Sequence, residues 1–357
     1  MLPGIDGGGI GEIVYTYSKY MDKRQFCCDV VALETIDGHQ PFLYDKMSSV
    51  VNKLFLVDRH HYFHRFIQFC RVLGEGHYDI IHCHMNEKSV VYLFIAWLYG
   101  VKVRITHSHI ATGDSGHINS CLKLLLPFVT THRYGCGVKA FESLWGNTDC
   151  MHVMTNAIEL QNFQYDELID KKQREIWGID QKTTVIGTVG RMTPQKNPFF
   201  IVEIIRSLSD IYDDFMFFWI GTGELADAVK QKVRERGIQD KVVFLGLRND
   251  VPELFSVLNL FILPSLYEGL PIVGVEAQAA GLPCLFADTI TPEIGLVSST
   301  RFVPIDSPDV WASEIVKIAG QRPQRTLSKE MENSAYNIEV AVRQLEKEYS
   351  TFEKTVS

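Results

Sequence analysis

Two α/β domains, each a parallel sheet wound from βαβ units, are predicted for this chain by three observations. Short apolar runs alternate with helical patterns along its whole length. Several of those runs end at a glycine or a Pro-Ser turn, and a helical pattern opens soon after. The 357 residues, 46% of them hydrophobic, suffice for two proper cores.

Taken in order, the strand candidates of the first half are residues 28–33, 80–84, 102–106, 133–136 and 152–154. Those of the second half are 184–190, 215–220, 242–245, 260–263, 283–286 and 302–304. Helical patterns fall between them, for example at 10–21, 89–98, 198–209, 223–236 and 251–256, and a long charged helix is expected over 333–353. A hinge is expected at 155–163, ahead of the charged stretch 166–175. This sets a first domain over 1–155, a second over 156–335, and a terminal helix over 336–357 that can cross back to the first. The chain opens on MLPGIDGGG, a glycine-rich loop leading into a helix. Such a loop normally leaves a strand, and almost nothing stands before this one. The first strand is therefore expected to be missing or truncated.

A net charge of −8 gives no general pull toward nucleic acid or anionic lipid, so an anionic ligand must be held by local groups. Eight cysteines without a C-x-x-C pair read as reduced, mostly buried thiols of a cytoplasmic protein. No apolar run reaches the ~18–20 residues of a membrane span. The greasiest stretch, 122–129, is short and contains Lys123 and Pro127.

The most informative segment is 267–276, YEGLPIVGVE, which follows the strand and turn LFILPS of 260–265. Pro271 suits the first position of a helix, where its missing N–H costs nothing. The free N–H groups of Gly269 and Leu270 would then form an anion site with the helix dipole. Glu268 sits at its mouth and Glu276 inside the helix. Carboxylates so placed suit hydroxyls better than phosphates, and a sugar nucleotide offers both. A second signal is GTVGR at 187–191 followed by Lys196, Asn197 and Pro198. Arg191 and Lys196, five residues apart after a strand, suit a diphosphate: a planar fork and a point charge. Solvated surface cations are the plainer reading.

Gly7, Gly8, Gly9 and Gly11 would let backbone approach a phosphate, although a glycine cluster alone fits a plain flexible terminus equally. All twelve histidines lie within 39–152. His82 and His84 alternate at the end of one predicted strand, and His107 and His109 at the end of another, each pair on one face. A metal site is conceivable, yet no acidic or cysteine ligand is tied to them. Ligand contact at carboxyl strand ends is the better reading for one or two, and structural packing for at least half of the twelve. Residues 60–69 mix aromatics and histidines with Arg59, Arg65 and Arg71, which fits either a surface touching a membrane or lipid-carried substrate, or a helix packed on its own sheet.

From Gly187 to Glu293 the chain resembles the C-terminal lobe of the retaining GT-B glycosyltransferases of family four. The resemblance rests on GTVGR, Lys196-Asn197-Pro198, IGTGE at 220–224, FLG at 244–246, DVP at 250–252, LPS at 263–265 and EGLP at 268–271 through Glu276. TNAI at 155–158 is similar to the interdomain segment, so the likeness spans nearly the whole chain. THSH at 106–109, LPCLFADTIT at 282–291 and Trp311 resemble bacterial capsule and exopolysaccharide enzymes. Thr155, Ala157 and Asn259 depart from the usual Pro, Gly and Asp.

The resemblance implies two Rossmann-like domains facing each other across a cleft. It implies transfer of a sugar, with retention, from a nucleotide-diphosphate donor (a UDP-sugar foremost) to a glycan or lipid-linked acceptor, and no cofactor or metal. Arg191 and Lys196 would hold the diphosphate, Glu276 the ribose hydroxyls, and Glu268 the transferred sugar with Gly269 and Leu270. Leu247 and Arg248 would flank the base, and Gly8 and Gly9 would approach the phosphates. His107 would contact the sugar, with His109 as its alternate. A cytoplasmic enzyme working at the inner face of the membrane, with peripheral association, is implied, and nucleic acid is not a partner. A non-catalytic sugar-nucleotide binder and a nucleotide-sugar epimerase are the alternatives.

Overall fold

In a computed structural model describing residues 1–5, 9–35, 38–109, 117–319 and 325–356, the alternating pattern builds parallel sheets in two units. Unit 1 comprises Met1–Ile158 and Ala335–Ser357, and unit 2 comprises Glu159–Ser334.

Unit 1 runs α1 (Gly9–Tyr20), β1 (Asp29–Glu34), α2 (Tyr44–Val50), β2 (Lys53–Asp58), α3 (Tyr62–Glu75), β3 (Ile80–Cys83), α4 (Ser89–Leu98), β4 (Val103–Ser108), α5 (His117–Val129), β5 (His132–Gly135), α6 (Val138–Trp145) and β6 (Met151–Val153). All pairings are parallel, in the orders β1-β2 and β3-β4-β5-β6. Each connection must therefore cross a face of its sheet, and the intervening helices do so.

Met1 and Leu2 stand between the two sheet pieces. Leu2 bridges Ala32 in parallel, donating to Val31 O at 2.8 Å and accepting from Leu33 N at 3.2 Å. On the other side, Met1 accepts from His84 N at 3.0 Å, and its ammonium donates to His82 O at 2.9 Å. Burial lowers the pKa of that ammonium. Alongside lies a cavity of ≈ 540 Å³ lined by Leu2, Val31, Tyr78, Ile80 and Tyr349 among others.

Unit 2 runs α7 (Glu167–Trp177), β7 (Thr184–Val189), α8 (Pro198–Ile211), β8 (Phe215–Ile220), α9 (Ala226–Glu235), β9 (Val242–Gly246), α10 (Val251–Val257), β10 (Leu260–Leu263), α11 (Ile272–Ala279), β11 (Cys284–Ala287), β12 (Thr300–Val303) and α12 (Pro308–Ala319). Its sheet order is β12-β11-β10-β7-β8-β9. Central strands carry continuous apolar runs because helices cover both faces; LFIL of β10 is buried at every position.

Asn259, where the resemblance leads one to expect Asp, accepts from Val185 N at 2.8 Å and from the buried Arg174 guanidinium at 3.0 Å. Its amide oxygen thus does the joining work between α7, β7 and the start of β10.

Several expectations need correction. Strand β2 and helix α2 were not foreseen. Strand β12 starts two residues before the expected 302. Helix α9 starts at Ala226 because residues 223–225 form a turn. The long terminal helix begins at Ile338, not 333. Of the cysteines only Cys83, Cys136 and Cys284 are buried, while Cys27, Cys121 and Cys150 are exposed.

Candidate active site

In unit 2 the strand order reverses between β7 and β10. In an open parallel sheet such a reversal leaves a crevice at the carboxyl ends, since the following loops turn to opposite sides. The loop after β7 carries Arg191, Gln195 and Lys196, and the loop after β10 carries Glu268, Gly269 and Leu270.

Close backbone approach shapes the first loop. A Cβ on Gly221 would lie 2.1 Å from Gly190 O, and one on Gly223 would lie 2.6 Å from Met192 O. Only glycine lets the β8 loop close against the β7 loop, where Met192 N donates to Thr222 O at 3.0 Å. Asn197 then takes the left-handed conformation, φ 53°, which Asn tolerates better than most side chains. Pro198 follows at the first turn of α8.

The two loops are bonded to each other. Leu266 N donates to Gln195 O at 2.9 Å. The Gln195 amide donates to Tyr267 O and to Glu268 Oε2, both at 3.1 Å. Lys196 Nζ lies 2.6 Å from Glu268 Oε1, with the carboxylate side chain 9% exposed. That contact is an ion pair without hydrogen-bond alignment, so Oε1 keeps its acceptor capacity. Gln195 was not among the residues singled out from sequence; its adjacency to Lys196 was the only signal. The Arg191 guanidinium is exposed and makes no hydrogen bond or ion pair among the described residues.

Helix α11 begins at Ile272. Pro271 is its N-cap, with ψ 109°, one position earlier than expected, because its extended backbone redirects the chain into the helix. The N–H groups of Gly269 and Leu270 find no partner among the described residues. Glu276 lies one turn into the helix on its partly exposed side, and burial pushes its carboxyl up to about 7. Buried Gln278 fixes this helix: its amide donates to Gly274 O and Ile294 O and accepts from Leu296 N and Val297 N. After β9, Leu247 is exposed, and Arg248 is held by both carboxylate oxygens of Asp250, which raises the Arg248 pKa.

In unit 1 the order reverses between the Met1–Leu2 segment and β3. Gly9 opens α1 there; Gly7 and Gly8 lie outside the described residues. The four histidines at the ends of β3 and β4 form one cluster. His82 Nε2 meets His107 Nδ1 at 3.1 Å, and His84 Nδ1 meets His109 Nε2 at 2.9 Å. His82 stacks on His84 and His107 on His109, with centroids 4.3 and 4.1 Å apart. Tyr349 OH meets His82 Nδ1 at 2.6 Å.

Burial holds His82, His84 and His107 well below 6.5 and His109 at about 4, so all four are neutral near pH 7. His107 is fully buried and its Nε2 has no partner; His109 is more exposed. Ring nitrogens of His82, His84 and His107 lie within 4.8 Å of one another, close enough to hold a metal ion. Such binding would break the hydrogen bonds just described, and that set contains no anionic ligand.

Residues 169–337 match the family model described as Glycosyl transferases group 1. EpsF of Bacillus subtilis (strain 168) is 29% identical over 348 residues, covering 92% of this chain and 90% of EpsF. A UDP-Gal:alpha-D-GlcNAc-diphosphoundecaprenol alpha-1,3-galactosyltransferase of Escherichia coli is 25% identical over 288 residues, 76% of this chain and 74% of that one. In fold the chain is similar to HepE of Anabaena, solved in complex with UDP, with a TM-score of 0.82, 17% identity and 98% of both chains covered.

Proposed function

We propose that this chain, a GT-B-fold glycosyltransferase related to bacterial exopolysaccharide enzymes, moves a sugar from a UDP-sugar to a hydroxyl of a glycan or lipid-linked glycan, with retention. The observation carrying this reading is the Lys196–Glu268 pair at the β7/β10 reversal, fixed by Gln195. Support comes also from the relatives: the Escherichia coli enzyme is named for a UDP-sugar donor and a diphosphoundecaprenol acceptor, and HepE was solved with UDP.

In this reading Arg191 and Lys196 bind the donor diphosphate and stabilise charge on the leaving group. Gly269 and Leu270 supply backbone donors, and Glu268 accepts from hydroxyls of the transferred sugar. Glu276 accepts from the ribose, and Leu247 and Arg248 flank the base. From unit 1, Gly8 and Gly9 serve the phosphates, and His107 or the more exposed His109 serves the sugar. Attack and departure occur on one face, with the leaving phosphate oxygen taking the acceptor proton. Positioning and fixed charge then supply most of the rate, with no metal required. A lipid-linked acceptor places the enzyme at the inner face of the cytoplasmic membrane, peripherally bound.

The test begins with a panel of sugar nucleotides screened for thermal stabilisation. Transfer by the wild type, Arg191→Ala and Glu268→Gln is then assayed with and without EDTA. Loss of transfer in both variants, with EDTA harmless to the wild type, is the expected result. Full activity in either variant overturns the assignment, and abolition by EDTA overturns the metal-free mechanism.

A further inference from the structure

His82 and His84 stand at the close of β3, and His107 and His109 at the close of β4. The parallel register sets Ile81 against Arg104 and Cys83 against Thr106, which brings the two pairs side by side. Residues two apart share a face of a strand, so the four imidazoles collect at the carboxyl end of this sheet. Ring nitrogens of His82, His84 and His107 lie within 4.8 Å of one another.

Hydrogen bonding among the rings leaves one of them short. A neutral imidazole offers one donor and one acceptor. His82 uses both its nitrogens, Nδ1 with Tyr349 OH at 2.6 Å and Nε2 with His107 Nδ1 at 3.1 Å. His107 Nε2 is buried and has no partner among the described residues. Buried polar atoms almost always find one, so an orphan nitrogen beside two further rings points to a ligand. A cavity lined in part by His82 and His84 leaves room for an ion and its water.

The donor set selects the ion. Neutral nitrogens without a carboxylate suit neither calcium nor magnesium, which take oxygen. They suit zinc and its first-row neighbours, and three histidines with a water complete a zinc shell. Zinc holds its nitrogens about 3.4 Å apart, so the rings would draw together and give up their mutual bonds. Tyr349 supplies the outer partner such a ligand needs: its hydroxyl engages His82 Nδ1 and leaves Nε2 for the metal. The Met1 ammonium on His82 O opposes a cation, so affinity should be micromolar and no tighter.

We propose that His82, His84 and His107 bind zinc or a like ion, with water as the fourth ligand, and that occupation blocks sugar transfer. The ion is an inhibitor, which leaves the metal-free chemistry proposed above intact. The site rests on the cluster alone. The block rests on the sugar contact proposed for His107, since the ion takes that ring.

The experiment uses the untagged full chain, stripped with EDTA and freed of it, then titrated with cobalt(II) and with zinc. Wild type should show the visible absorption of tetrahedral cobalt, displaced by zinc, and calorimetry should give one zinc per chain. His84→Gln should lose the bands, and Tyr349→Phe, which lacks the outer partner, should bind zinc about tenfold more weakly. His61→Gln with His64→Gln, exposed at the start of α3, should change neither. Circular dichroism checks folding; if His84→Gln unfolds, the wild-type cobalt spectrum and Tyr349→Phe decide. No tetrahedral bands, undiminished binding in the folded cluster variants, or loss of binding with His61 and His64 overturns the site. Micromolar zinc should inhibit transfer, and EDTA should restore it. Zinc bound at the cluster with transfer unaffected overturns the block. Zinc binding in a chain that transfers nothing even when metal-free would leave the site standing and remove the proposed activity instead.

Discussion

Replacing Glu276 with glutamine should make unit 2 more stable at alkaline pH while weakening donor binding. The carboxyl titrates at about 7 in the folded chain against an ordinary 4.5, because burial disfavours its charge. The native state therefore holds this proton more tightly than the unfolded chain does. The resulting stability is fully present below 4.5 and is lost as pH rises to 7, then stays level. The difference of 2.5 in pKa corresponds to at most about 3 kcal/mol. Glu276 keeps some exposure, and water screening reduces the expected figure to about 2 kcal/mol. For a unit of this size that is a melting shift of roughly 4–8 °C.

Differential scanning calorimetry of both proteins from pH 5 to about 9 reads this directly. Wild type should lose stability up to about pH 7, and Glu276→Gln should show a flatter profile there. A ribose hydroxyl donating to the carboxylate favours its ionised form. Donor binding below pH 7 should therefore release a proton, visible as buffer-dependent heats, and Glu276→Gln should bind about 10–100-fold more weakly. Parallel stability profiles together with equal affinities would refute the reasoning.

The histidine cluster acts in the opposite sense: with folded pKa values below 6.5, its contribution is present above 6.5 and lost as pH falls toward 4. Unit 1 should melt earlier below about pH 6, and His109→Gln should blunt that slope. Lys196→Met should reduce kcat/KM by about a hundredfold or more, since it removes the cation proposed for the donor phosphates and leaves Glu268 without its partner; stopped-time transfer assays measure this. Arg174→Met should destabilise unit 2 by about 3–5 kcal/mol in urea titrations, because it strips partners from Asp170, Asp180 O, Thr183 O and Asn259 at a buried point.

The sheets were legible in sequence where strands are buried on both faces, as in TVIGTV of β7 and LFIL of β10, because such runs stand out from their flanks. Strand β2 was missed because KLFLVD starts on an exposed lysine at the edge of a sheet. Helix α2, seven residues without a side-chain cap, leaves little pattern to find. The loops of unit 2 could be placed from Gly190, Pro264 and Pro271, residues whose backbone limits mark turns. That Lys196 and Glu268 would hold each other was not legible, since the two are 72 residues apart in sequence and both suited a ligand equally well. Nor does a period-two histidine pattern say which ring ends inside. The packing of β3 against β4, with Tyr349 bonded to His82, leaves His107 buried and His109 partly exposed.

Among the described residues, backbone bonds of Met1 and Leu2 join the ribbon of β1 and β2 to β3. Breathing of the unit should begin at that seam, so solvent deuterium would reach the amides of Leu33 and His84 well before that of Ile105. Helix α1 leans on the same patch through Ile10 and Val14. How steadily Gly9, at its start, is held would then depend on the same seam.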